Sequence, residues 1–140
     1  MRVVLIILAS AIATIVSPAV AADWPRCRAS LATCVVDGDT IRANRERIRL
    51  IGVDTPELRP TSVCRVHEKR LAILATERLQ ALLRLGRVTI EPDGTDRFGR
   101  TLARLIVAPP GHPKFDAGER LFAEGYAVQW PHPPNVWCAR

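Results

Sequence analysis

A chain of 140 residues suits one small domain. Its 20 lysine and arginine residues exceed its 14 acidic residues, which gives a formal net charge of +6. A basic balance of this kind favours an anionic partner such as nucleic acid, anionic lipid or acidic polysaccharide, and charge alone does not choose among them.

Residues 1–21 are typical of a secretory signal peptide. Arg2 is a short positive region, Val3 to Val16 form an apolar run, and Ala19 to Ala21 offer small residues for cleavage. The apolar run is short for a membrane span, which needs about 20 residues, although a retained N-terminal anchor is an alternative. We therefore expect residues 22–140 to form an exported domain, periplasmic or secreted, without stable membrane insertion once the leader is removed.

All four cysteines lie after the predicted leader: Cys27, Cys34, Cys64 and Cys138. An even count in an exported chain favours two disulfides, for which three pairings are possible. We expect Cys27 to pair with Cys34, because that pair is local, and Cys64 to pair with Cys138, which would fix the C-terminus. The spacings lack the close cysteine pairs of a zinc site.

Short strands and two helices follow one another along the rest of the chain. The predicted strands are 34–37, 40–43, 47–53, 87–91 and 101–107, with turns at Gly38, Asn44-Arg45 and 92–95. Residues 65–85 carry leucines at helical spacing before Gly86, which predicts a long helix with a core-facing stripe. A shorter helix is predicted over 115–124, and a proline-rich tail follows it. This order predicts an α+β fold, a five-stranded Greek-key barrel of the oligonucleotide-binding type with one inserted helix and a short second helix.

Carboxylates stand at the ends of two of these strands: Asp37, Asp39, Asp54 and Glu57. If the strands pair, the carboxylates meet Arg49 in one cleft. Crowded carboxylates repel each other, and a hard cation relieves that repulsion. The alternative is a pair of Asp-rich hairpin turns, because Asp-Gly is a common turn dipeptide.

Three motifs in order carry a resemblance to a known family. They are Asp37-Gly38-Asp39-Thr40, the stretch from Arg49 to Glu57, and the stretch from Asp96 to Arg100. With the leucine-rich helix between the second and third, they resemble the thermonuclease family, the staphylococcal nuclease-like proteins. The resemblance runs from about Val35 to Tyr126. It implies an oligonucleotide-binding barrel that hydrolyses phosphodiester bonds of DNA, RNA or both with Ca²⁺.

The resemblance also implies a metal site. Asp39 and Asp54 would be carboxylate ligands of Ca²⁺, and Thr55 would add its backbone carbonyl, in line with the preference of Ca²⁺ for hard oxygens. Asp37 would support the site without binding the metal directly.

Three further residues are implied to act on the substrate. Arg49 and Arg100 would hold the scissile phosphate, and Glu57 would orient or deprotonate the attacking water. Phe98 stands where a tyrosine is common in the family. Trp130 and Tyr126 are candidates for stacking on a base, although core packing is the favoured role for Tyr126. A non-catalytic nucleic-acid-binding module of the cell envelope is the alternative, because folds of this type also bind without cutting. In either case we expect a monomer.

Overall fold

The computed structural model describes residues 23–140, so the predicted leader, residues 1–21, lies outside the described residues. The strands are β1 Cys34–Val35, β2 Thr40–Ala43, β3 Glu46–Leu50, β4 Val53–Asp54, β5 Arg87–Thr95, β6 Thr101–Ala108, β7 Phe115–Asp116 and β8 Val128–Gln129. The helices are α1 Arg65–Leu83, α2 Ala117–Ala123 and a 3₁₀ helix, Val136–Ala139. In residues 23–140, none of the helices has both the length and the apolar character that crossing a membrane requires.

Six strands form one mixed sheet in the order β1-β2-β3-β6-β5, with β7 added to β6, while β4 and β8 form a separate pair. The β2–β3 hairpin places Thr40 opposite Arg49 and turns through Asn44 and Arg45, both at positive φ. Positive φ at both central residues is the signature of a two-residue type I′ turn, so the predicted hairpin tip is confirmed. Strand β3 then pairs in parallel with β6, with α1 lying between them in the chain.

The core lies between this sheet and the inner face of α1. Alternate residues of β6, namely Ala103, Leu105 and Val107, are fully buried and meet Leu79, Leu82 and Leu83 of α1 in one cluster. The predicted long helix and its core-facing stripe are therefore confirmed, except that Leu74 is 50% exposed. Together with the strand order, this confirms the predicted α+β fold of the oligonucleotide-binding type.

Three predicted boundaries are wrong. The strand expected over 47–53 ends at Leu50, because the chain turns at Ile51 and Gly52, where Gly52 takes a positive φ of 76°, and Val53–Asp54 then pairs with β8 instead.

Strand β5 continues through the turn expected at 92–95, because a register shift between Pro92 and Thr95 absorbs the proline and Gly94 takes a positive φ of 85°. Helix α2 begins at Ala117 rather than at 115, because Asp116 pairs with β6 and its side chain then accepts hydrogen bonds from the first turn of the helix.

Both disulfides form, in the pairing that the sequence favoured. Cys27–Cys34 closes a local loop before β2, whereas Cys64–Cys138 joins the residue before α1 to the C-terminal end over a separation of 74 residues. Closing a loop of that length removes freedom from the unfolded chain, which on chain entropy alone stabilises the fold by roughly 4 kcal/mol.

The two helices are joined at the surface by a forked ion pair. Arg78 Nε lies 2.6 Å from Glu124 Oε2, and Arg78 Nη2 lies 2.8 Å from Glu124 Oε1. The hydrogen bonds from Arg78 lower the pKa of the Glu124 carboxyl. A carboxyl group whose pKa is lowered by folding contributes stability above its unfolded pKa and loses that contribution as the pH falls through its folded pKa.

We expect Arg78→Gln to lower the free energy of unfolding by at most about 1 kcal/mol at neutral pH, because the pair is partly exposed. The difference from the unmodified protein should vanish at acidic pH, where Glu124 is protonated in both. Urea unfolding at both pH values measures this, with Arg70→Gln at an exposed position of the same helix as the control. A difference that persists at acidic pH would contradict the assignment.

Candidate active site

The Asp37–Thr40 turn places one buried carboxylate at the start of β2. Asp37 Oδ1 accepts a hydrogen bond from the backbone N–H of Asp39 at 3.2 Å, and the Asp39 residue is only 3% exposed. Gly38 is required here by crowding, because an added Cβ would lie 2.6 Å from Thr55 Oγ1. The turn therefore packs directly against the segment that follows β4.

Both oxygens of the Asp39 carboxylate are held. Oδ1 accepts from the Thr40 hydroxyl at 3.0 Å and from Arg49 Nη1 at 2.7 Å, and Oδ2 accepts from the Thr55 backbone N–H at 3.0 Å. One carboxylate thus connects β2, β3 and the segment after β4.

The guanidinium of Arg49 bridges two carboxylates. Its Nη1 donates to Asp39 and its Nη2 donates to Asp54 Oδ1, with 14% of the arginine side chain exposed. Burial by itself lowers the pKa of Arg49. The charge of Asp39 and the hydrogen bond to Asp54 together raise the pKa by more than burial lowers it, so the net shift is upward. Arg49 therefore stays charged between its two partners.

The site holds more negative charge than Arg49 neutralises. Burial, followed by the charge of Asp39, raises the pKa of Asp37 to about 7. Burial also raises the pKa of Asp39, and partial desolvation together with the charges of Asp39 and Asp54 raises that of Glu57. Burial is the largest cause of these shifts and repulsion between the carboxylates adds to it, and a hard cation would relieve both.

The residues present fit such a cation. Asp39 and Asp54 converge on one guanidinium, and Thr55 follows Asp54 directly while its N–H contacts Asp39, so the oxygens expected to act as ligands share one region. In residues 23–140 there is no cluster of three or more His, Cys, Asp or Glu side chains suited to a metal. The expected ligands, the carboxylates of Asp39 and Asp54 and the backbone carbonyl of Thr55, are hard oxygens of the kind that Ca²⁺ prefers.

A wider cleft of about 710 Å³ opens in front of this buried arrangement. Four of the predicted site residues line it, namely Arg49, Asp54, Glu57 and Arg100, together with the exposed rings of Phe98 and Trp130. The structure thus brings the two arginines, which come from distant parts of the chain, to one cleft. Asp39 and Thr55 lie buried behind it and Asp37 is half-buried beside them.

Arg100 is fixed by its own turn. Asp96 Oδ1 accepts from the Arg100 backbone N–H at 2.9 Å, and Asp96 Oδ2 accepts from Arg100 Nε at 2.7 Å. The guanidinium carbons of Arg97 and Arg100 lie 4.7 and 5.6 Å from the centre of the Phe98 ring. This wall of the cleft therefore combines positive charge with an aromatic face.

Glu68 is a residue of the site that no sequence pattern identifies. Its side chain is buried on the first turn of α1, accepts a hydrogen bond from the Glu57 backbone N–H at 3.2 Å and also accepts one from Ser62. Glu68 therefore fixes the backbone at Glu57 from outside the motif. Acidic residues are common in the first turn of a helix, where they interact favourably with the helix dipole. The sequence therefore gives no reason to assign Glu68 to the site.

His132 is the second residue that the sequence does not reveal. Its Nε2 lies 2.9 Å from Asp54 Oδ2, and its Nδ1 lies 2.8 Å from the Pro133 carbonyl oxygen. Both partners offer acceptor oxygens, which a ring protonated on both nitrogens satisfies at once. Burial lowers the pKa of His132, but the bonds to the Pro133 carbonyl and to Asp54 raise it more. Seventy-eight residues separate His132 from Asp54, so no local spacing connects them.

The fold and the cleft define a protein of the oligonucleotide-binding fold in which carboxylates and arginines share one site. Residues 47–135 match the family described as staphylococcal nuclease homologues. The chain is similar to the thermonuclease of Staphylococcus intermedius, with 33% identity over 145 residues that cover 93% of this chain and 81% of that protein. The chain therefore belongs to the staphylococcal nuclease family, and the resemblance seen in its motifs is confirmed.

We expect Gly38→Ala to destabilise the fold by about 1–3 kcal/mol, because the new methyl group cannot fit against Thr55 without a shift. The shift should loosen the bond between the Thr55 N–H and Asp39. Amide hydrogen exchange at Thr55 measures it. Gly111→Ala is the control. Gly111 has a positive φ, so alanine there strains the backbone, but no atom lies within 4 Å of the added carbon. Equal exchange at Thr55 in both variants would show that Gly38 is not needed for close approach.

Proposed function

We propose that this protein is an exported, monomeric, Ca²⁺-dependent nuclease that hydrolyses phosphodiester bonds of DNA, RNA or both. The observation that carries the proposal is the single cleft shared by Arg49, Asp54, Glu57 and Arg100. Membership of the staphylococcal nuclease family is the independent support for nuclease activity.

The buried side of the cleft would hold the cation. Asp39 and Asp54 would contribute carboxylate oxygens and Thr55 its backbone carbonyl, with Asp37 holding the turn through the Asp39 N–H. A Ca²⁺ ion bound there supplies positive charge that stabilises the reacting phosphoryl group and acidifies bound water. The raised pKa values of Asp37 and Asp39 support this assignment, because burial and neighbouring carboxylates disfavour their charged forms and a bound cation would favour them.

Arg49 and Arg100 would contact the scissile phosphate. A guanidinium presents its donors in a planar fork that matches two phosphate oxygens, and the negative charge on those oxygens grows as the attacking water adds. Arg49 reaches the cleft at the Asp54 end and Arg100 reaches it from the Asp96 turn. The two side chains would therefore hold the phosphate between separate parts of the fold.

Glu57 would act on the attacking water. It lies at the cleft, and its pKa is raised by partial desolvation and by the charges of Asp39 and Asp54, which makes the carboxylate a stronger base. The Glu57 backbone N–H donates to the Glu68 carboxylate, and this bond fixes the position of the backbone that carries the Glu57 side chain. Nucleobases next to the reacting phosphate would stack on Trp130 or Phe98, contacts worth roughly 1–3 kcal/mol each.

The alternative function is a nucleic-acid-binding module that does not cut. Such a module needs basic and aromatic side chains, which Arg97, Arg100, Phe98 and Trp130 supply. It has no use for a carboxylate with a raised pKa placed in the same cleft. Glu57 therefore favours catalysis over binding alone.

Export is proposed on the signal-peptide pattern of residues 1–21, and the two disulfides support it, because disulfides persist in oxidising compartments. Mass spectrometry of periplasmic or secreted material should give a chain that begins near Ala22 or Asp23. Recovery of only the full-length chain from membranes would support the retained anchor instead.

The decisive test of the proposed function is cleavage with and without a chelator. We expect purified protein to degrade DNA or RNA with Ca²⁺, to stop in excess EGTA and to recover when Ca²⁺ is restored. Glu57→Gln, purified in the same way, controls for contaminating nucleases and should turn over at least about 100-fold more slowly. Full activity in excess EGTA would refute the metal dependence, and binding of nucleic acid without cleavage in Ca²⁺ would support the binding module.

The arginines separate catalysis from binding. We expect Arg49→Lys and Arg100→Lys each to lower turnover by about tenfold or more, because lysine keeps the charge and loses the fork. Affinity for nucleic acid should fall much less, since the other basic residues still attract the backbone. Arg97→Lys, on the same wall of the cleft, is the control and should leave turnover within a few-fold of the original. Turnover that is insensitive to both swaps would refute the assigned roles.

A further inference from the structure

We propose that the C-terminal segment, residues 130–140, is a positioning part of the active site in which His132 holds the Asp54 carboxylate and the Cys64–Cys138 disulfide holds His132. The inference rests on the proposed function and extends it, because it assigns a role in the site to residues that lie outside all three motifs. His132 is a positioning residue here, acting on the reaction through Asp54.

His132 and Arg49 together fix the plane of the Asp54 carboxylate. Arg49 donates to Oδ1 and His132 Nε2 lies 2.9 Å from Oδ2, so rotation of the carboxylate about its Cβ–Cγ bond would break both contacts. The His132 and Asp54 side chains are largely buried, which protects this arrangement from competing water. A carboxylate that binds a cation must present its remaining lone pairs in one direction, and hydrogen bonds to such a ligand commonly set that direction.

The imidazole of His132 is itself held in place. The Pro133 carbonyl accepts from Nδ1 at 2.8 Å. The rings of Trp130 and Trp137 stand edge-on to the His132 ring, with centroids 5.3 and 6.4 Å away. Trp137 is buried against the body of the protein, so the wall behind His132 is fixed. These contacts leave the imidazole one orientation, with Nε2 aimed at Asp54.

The segment that carries His132 is attached to the rest of the fold on both sides. Before His132, the Trp130 backbone N–H donates to the Gly52 carbonyl at 3.0 Å. Pro131, Pro133 and Pro134 have no backbone N–H to donate, so this stretch cannot be held by a regular ladder. Cys138 is bonded to Cys64 at the start of α1, and the Arg140 carbonyl lies 2.6 Å from a ring nitrogen of His67 on that helix. The disulfide is therefore the covalent link between the helix and the segment that supports Asp54.

The sign of one measurement separates positioning from competition for Asp54. His132 occupies one oxygen of a proposed cation ligand, so if competition with the cation were its main effect, removing it would tighten Ca²⁺ binding. If positioning is its main effect, removing it weakens Ca²⁺ binding, and loss of such an outer contact typically costs about 10–100-fold in metal affinity or activity.

The experiment compares His132→Ala and His132→Gln with His112→Ala, an exposed histidine in the loop after β6. Ca²⁺ dissociation constants come from calorimetry on the purified full domain, and kcat and KM come from the nuclease assay at saturating Ca²⁺. We expect His132→Ala to weaken Ca²⁺ binding about tenfold and to lower kcat with little change in KM. The amide of Gln occupies the place of Nε2 and should recover part of both losses. Unchanged or tighter Ca²⁺ binding in His132→Ala overturns the proposal.

The disulfide is tested by a mutant cycle. We expect Cys64→Ser/Cys138→Ser to weaken Ca²⁺ binding about as much as His132→Ala, and the combined variant to lose little more, because both act through the same contact. Cys27→Ser/Cys34→Ser opens the other bridge and should leave Ca²⁺ affinity unchanged. Fully additive losses of Ca²⁺ affinity, or an equal loss on opening Cys27–Cys34, would overturn the role assigned to the Cys64–Cys138 disulfide. The histidine variants still decide the proposal if the Cys64/Cys138 variant fails to fold.

The calorimetry does not require turnover, so the two proposals can fail separately. A protein that binds Ca²⁺ and cleaves nothing overturns the proposed nuclease function, while the His132 variants still decide the positioning role. A protein that binds no Ca²⁺ overturns the positioning role, whatever its activity.

Discussion

The buried guanidinium of Arg49 is the interaction on which the rest of the structure depends. It sits between Asp39, which begins the β2–β3 hairpin, and Asp54, which ends β4. Removing one partner of a buried charge pair leaves an uncompensated charge and typically costs about 3–5 kcal/mol. Arg49 and Asp54 also line the cleft, and Asp39 lies buried behind it, so a change in the chemistry of this site is also a change in the stability of the domain.

The sequence predicts the parts of the site whose residues lie close together along the chain. A two-residue turn at Asn44-Arg45 fixes the register of one hairpin, and that register alone sets Thr40 opposite Arg49 and brings Asp39 within reach of the guanidinium. Motif spacing works here because the motif spans a single hairpin and the strand end after it. The leucine stripe of α1 is predictable for the same reason, since helical periodicity is local.

The parts that the sequence does not predict depend on where distant segments pass one another. His132 reaches Asp54 only because the chain returns after α2 and β8, and a histidine among prolines has no periodic pattern. Glu68 looks like an ordinary residue of a helix start until the loop after β4 is seen to fold onto it. Leu74 recurs at the same helical spacing as the core leucines and yet is half exposed. Periodicity predicts which face of a helix is apolar, but it does not predict how much of that face the rest of the protein covers.

The position of Cys138 after all three motifs has a consequence for the order of biosynthesis. A nascent chain carries every motif residue before it carries residues 130–140, the segment that contacts Asp54. The disulfide to Cys64 then needs an oxidant, which a reducing cytosol does not supply. On the role proposed for His132 and on the proposed export, the Asp54 carboxylate is fully positioned only once the chain has reached an oxidising compartment. On the proposed nuclease function, full activity would then develop away from the nucleic acids of the cell that makes it.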